Sequence, residues 1–165
     1  MNSAHFHLML VHIPVILVPF GGVLLLISIW RKSEVTRSVA LGTFAIAAVF
    51  AGAAYLLGEG AEEMVEDVAG VVKSAIDLHE DSAAVALWAT IVLGILSIAH
   101  FGLVRIRPNV AQSLIVPLVI LSLASAGSLA YTAQQGGMIR HPEAFSASLG
   151  AEGQGAAGER DGDDD

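Results

Sequence analysis

The run LMLVHIPVILVPFGGVLLLISIW, residues 8–30, contains no Asp, Glu, Lys or Arg. A helix needs about 20 residues to cross a hydrocarbon core at a rise of ~1.5 Å per residue, and this run is long enough. Three further uncharged runs follow at residues 38–58, 82–104 and 109–135, the last read as a span over about 110–133. Inside hydrocarbon the backbone must satisfy its own hydrogen bonds, so all four are expected to be helices. The first run has no basic leading segment and no small-residue cleavage site, and it reads as a retained span rather than a cleaved leader. The expected fold is all-α: an integral membrane four-helix up-down bundle over residues 1–145, followed by a disordered acidic tail over 146–165.

Working outward, the polar connections orient the spans. Arg31, Lys32 and Arg37 lie between the first two, and Arg105 and Arg107 between the last two, so five of the eight basic residues occupy two short turns. The positive-inside rule places both turns in the cytoplasm. Of the sixteen acidic residues only Glu34 is on that side. Both termini and the middle connection are therefore expected to face the periplasm, with the chain multi-pass in a bacterial inner membrane and the lipid bilayer as its first partner. The connection over residues 59–81 has only Gly60 and Gly70 as breakers and reads as helical periplasmic extensions of helices two and three. Glu59, Glu62, Glu63 and Glu66 recur there at three- and four-residue spacings, which puts several on one face.

The composition agrees with this reading and removes other classes. The chain is 55% hydrophobic and 15% charged, against about 25% charged in a soluble domain. No cysteine is present, which excludes disulfides, thiolate metal sites, iron–sulfur clusters and covalent haem attachment. The net charge of −8 and the lack of a basic stretch argue against nucleic acid as a partner. No nucleophile elbow or phosphate-cradling glycine loop suggests a hydrolase. Gly21, Gly22, Gly42, Gly94 and the series Ser122, Ser125, Ser128 suit close helix contact, and Pro14, Pro19 and Pro117 are expected to bend helices one and four.

The six histidines carry the remaining information. His5, His7 and His12 lie at the outer end of helix one, His79 just outside helix three, and His141 after helix four; only His100 is near the cytoplasmic side. Met1, Met9, Met64 and Met138 share the outer bias. Imidazole, thioether and carboxylate are ligand types for haem iron and transition metals. His5 and His12 are seven apart and share a face if the helix extends that far, whereas His7 and His12 point about 140° apart. His12 falls about one turn inside the span, where an ionisable side chain is costly. From His79, a face of small residues continues through Ala83, Ala86 and Thr90.

The segments His7-Leu-Met-Leu-Val-His12-Ile-Pro14, Gly58-Glu59-Gly-Ala-Glu62-Glu63, His79-Glu80 and Gly136-Gly137-Met-Ile-Arg140-His141 together resemble a family of largely uncharacterised bacterial four-helix inner-membrane proteins. It is filed as a domain of unknown function, with some members joined to cytochrome c or Rieske domains. The resemblance covers about residues 5–145. It implies a redox setting and singles out His7, His12, His79 and His141, with Glu59, Glu63 and Glu80 behind them.

Three functions remain open. In the first, two of His7, His12, His79 and His141 ligate haem b near the outer surface and Arg140 pairs a propionate, giving an electron-transfer subunit that serves a quinol or a periplasmic cytochrome. In the second, a haem-free transition-metal ion is held by His12, His79 and His141 with Glu59, Glu63 or Glu80. In the third, the chain is a cofactor-free accessory subunit of a larger membrane complex. Transport is disfavoured, because none of the four runs contains Asp, Glu, Lys or Arg to relay protons or bind a coupling ion.

Overall fold

A two-residue turn sets the first helix pair. In a computed structural model, which describes residues 3–62 and 73–140, α1 runs Ser3–Arg31 and α2 runs Glu34–Leu56. Lys32 takes the left-handed conformation (φ 51°). Its amide donates to Ile29 O at 3.3 Å, and that of Ser33 reaches back to Ser28 O at 3.0 Å. This is a Schellman stop with lysine where glycine is usual. Ser33 then caps α2, its Oγ accepting from the Thr36 amide at 3.2 Å. One residue closes a helix and the next opens another.

The remaining elements are α3 (Gly58–Glu62), α4 (Lys73–Ile106), α5 (Pro108–Ser113) and α6 (Ile115–Arg140). The α5–α6 break falls at Leu114, three residues before Pro117. A proline cannot donate to the carbonyl four residues back and its ring crowds that group, so the expected bend appears as an interruption. At Pro14 and Pro19, by contrast, α1 stays continuous. The helical reading of residues 59–81 holds at both ends, as α3 and the start of α4; Glu63 and Glu66, with the rest of 63–72, lie outside the described residues, as do His141 and the acidic tail.

Among the described residues there are four helices long and apolar enough to cross a membrane, α5 and α6 together forming the last. α1 packs against α2 and α6, and α4 packs against the same two, so α1 and α4 stand on a diagonal of the bundle. Only 28–39% of each apolar window is buried. Most of the apolar surface, including Ile16, Val49, Trp88, Ile95 and Leu123, therefore points outward, the arrangement of a protein whose surroundings are themselves apolar.

With apolar groups on both sides, close packing has to hold the helices together. Phe44 fills a notch at Gly21, where a Cβ would sit 2.7 Å from its ring; at Gly94 a Cβ would overlap the Ala48 side chain. Val18, Leu25, Leu41, Leu93 and Leu118 complete the core. Buried hydroxyls satisfy themselves on their own helices: Ser28 Oγ donates to Leu25 O, Ser97 Oγ to Leu93 O and Ser122 Oγ to Val119 O. Thr90 donates to Ala86 O at 2.7 Å, so the 2.8 Å contact with Ser125 has Ser125 as donor and links α4 to α6.

One placement departs from the sequence reading. Arg37 was expected in the aqueous turn and instead lies in the first turn of α2, only 8% exposed. The turn is so short that α2 is already formed at this position. Its Nη1 donates to Glu34 Oε1 at 2.8 Å, while Nε, like Nδ1 of buried His100, has no partner among the described residues.

Gly94→Ala is expected to destabilise the fold by about 1–3 kcal/mol through overpacking. Gly102→Ala, where nothing lies within 4 Å, is expected to be neutral or stabilising by up to about 1 kcal/mol. Denaturant unfolding in micelles, followed by circular dichroism, compares the two.

Candidate functional site

The start of α1, the end of α2, the start of α4 and the end of α6 meet at one end of the bundle, and there two histidines are held alike. His7 sits four residues into α1. Its Nδ1 lies 2.8 Å from Ala54 O on α2, one of the last four carbonyls of that helix, which lack a full set of intrahelical partners. His79 projects from α4, with Nδ1 3.1 Å from Thr132 O on α6. A carbonyl can only accept, so both imidazoles donate through Nδ1–H, and the lone pair is left on Nε2 in each.

Glycines make room for these rings. A Cβ on Gly136 would meet His79 Cε1 at 3.0 Å and Nδ1 at 3.3 Å, closer than side chains ordinarily pack, whereas on Gly58 it would meet His7 at an ordinary 3.7 Å. The Gly136 requirement explains half of the Gly136-Gly137 pair. Thr132 Oγ1 and Gln135 are buried on α6 beside the His79 tether, and the Thr132 hydroxyl has no partner among the described residues.

The two rings also sense each other. His79 precedes the uncharged run that starts at Ser82, outside the spanning segment. Burial holds its pKa below the ordinary imidazole value; the bond to Thr132 O opposes that shift, and the charge of His7 adds to it. Both features favour the neutral imidazole, the form that can ligate iron or another metal. The diagonal helices thus present two oriented imidazoles to one region.

The other expected ligands are placed differently. His12 is exposed, and its Nδ1 donates to Leu8 O on its own helix; the separation of about 140° from His7 turns it away from the interior. Glu80 is engaged with a second carboxyl: the hydrogen bond that its protonated carboxyl donates to Glu62 raises its pKa first, followed by burial and the charges of Glu62, Asp77 and Asp81. The shared proton joins α3 to α4. Because the folded pKa lies above the unfolded value, this contact contributes fully below the ordinary carboxylate range and is lost as pH rises through the raised value. Glu62 was legible only as one acid on a helical face; its partner came from a distant part of the chain.

Among the described residues, no group of three His, Asp or Glu side chains gathers to hold a metal ion. The Glu59 and Arg140 side chains, Glu63 and His141 lie outside the described set. The described members of the metal set, His12, His79 and Glu80, each have a different partner. Comparison of the chain with protein-family models, curated proteins and solved structures finds no match.

His7→Gln removes one charge that opposes protonation of His79, so the pKa of His79 is expected to rise toward the ordinary value. Histidine-selective nitrogen-15 NMR across a pH series reads this, and an unchanged titration would mean that the rings are not coupled. Glu80→Gln is expected to remove the loss of stability that accompanies rising pH above the carboxylate range, measured by thermal unfolding at several pH values.

Proposed function

We propose that the chain is a multi-pass inner-membrane redox protein whose His7 and His79 would hold a haem b at the periplasmic end of an up-down bundle. The observation that carries this reading is the matched pair of imidazoles on diagonal helices, each donating Nδ1–H to a backbone carbonyl and keeping its lone pair on Nε2. Such outer bonds fix the tautomer and raise ligand basicity. Bound there, haem would supply one-electron transfer. The residues fit that group in three respects: burial favours the neutral form of His79, both rings are oriented, and the glycine beneath His79 leaves the ring flush with α6.

The orientation follows from charge: Arg31, Lys32, Arg105 and Arg107 mark the cytoplasmic end, and the acidic connections mark the periplasmic one. The pair therefore faces a periplasmic cytochrome or a quinol in the outer leaflet. Arg140 is assigned to a propionate by its position next to Gly136 and Gly137. Among the described residues no three metal donors gather, and the sequence resemblance to a redox-linked membrane family favours the haem reading.

Protein purified after haem-supplemented expression is expected to show a Soret band that shifts on reduction. His7→Ala and His79→Ala should each abolish low-spin ligation, His12→Ala should retain it, and Gly136→Ala should lower haem affinity by about tenfold by displacing an oriented ligand. Absence of a Soret band from the folded wild type would reject the proposal and leave an accessory subunit as the reading.

A further inference from the structure

α1 carries a second pair of histidines that the interior site does not use. Because the helix already begins at Ser3, His5 and His12 fall on one face with Leu8 and Met9 between them. These four side chains line one open depression on the outside of the bundle, and all four are exposed. Met9 lies four residues after His5 and three before His12, about 6 Å and 4.5 Å along the axis. Helical side chains lean toward the N-terminus, so the His12 ring lies over the turn that holds Leu8 and Met9. Its Nδ1 is committed to Leu8 O, which again leaves the lone pair on Nε2.

This donor set is selective. Two imidazoles and a thioether are neutral as ligands and soft to borderline, and among the described residues no carboxylate lines the depression. Magnesium, calcium and manganese prefer oxygen ligands, whereas thioether sulfur selects cuprous copper. A monovalent ion also suits neutral ligands beside Leu8 better than a divalent one, since an uncompensated charge costs more in apolar surroundings as it grows. We propose that His5, Met9 and His12 form a cuprous-ion site on the outward face of α1, with Met9 as the central donor. The site is separate from the His7–His79 pair and does not depend on its occupant.

The test is an anaerobic titration of the full chain in nanodiscs with Cu(I), in competition with a chromophoric chelator. One equivalent is expected, with sulfur in the first coordination shell by X-ray absorption. Met9→Leu should lose the sulfur scattering and weaken binding by at least about tenfold, as should His12→Ala, since even outer-shell losses at metal sites cost that much. Both positions are exposed, and unchanged circular dichroism verifies that the variants fold. His7→Gln, which alters only the interior pair, should bind Cu(I) as wild type does. Failure to bind one equivalent, or binding unchanged by both Met9→Leu and His12→Ala, overturns the proposal.

Discussion

The close approach of α2 to its two neighbours controls the rest of the molecule. Hydrophobic collapse drives a soluble bundle together, but a bundle whose outer surface is mostly apolar gains little from hiding more of the same surface in lipid. What remains is contact quality. Phe44 against Gly21 and Ala48 against Gly94 bring three helix axes to a separation that only glycine permits. The Thr90–Ser125 hydroxyl contact then ties α4 to α6.

That packing sets the functional end as well. His7 reaches Ala54 O only because α1 and α2 are held close along their length, and His79 reaches Thr132 O across the α4–α6 contact. The two tethers do more than orient rings. Each occupies Nδ1, and for His79 protonation would have to occur on Nε2, in a half-buried site beside another histidine. At the same end protonated Glu80 donates a hydrogen bond to Glu62, while the charges of Asp77 and Asp81 disfavour its carboxylate form.

The opposite end shows a different economy. Arg37 and His100 are both buried, and each keeps one nitrogen without a partner among the described residues. Leaving such groups unmade in a protein interior carries a desolvation cost, which Glu34 offsets for one edge of the guanidinium. A turn of only two residues, with Lys32 strained into the left-handed region, is what draws Arg37 inward.

Read along the chain, the uncharged runs, the short basic turns and the clustering of histidines at one end were all legible, since length, charge and spacing are local properties. The break at Pro117 was legible in kind. The choice among histidines was not. α1 is apolar on nearly every face, so no amphipathic stripe tells which side of it turns inward; the sequence could say that His7 and His12 diverge by about 140°, not which one meets the interior. The Glu62–Glu80 contact and the burial of Arg37 were hidden for the same reason, because each depends on what a separate helix places opposite. By itself the sequence determined four helices, their lengths and a sided distribution of charge and ligands. Only the tertiary structure decided which imidazoles are tethered to a neighbouring helix, because helix rotation is set by glycine contacts and carbonyl partners contributed from elsewhere in the fold.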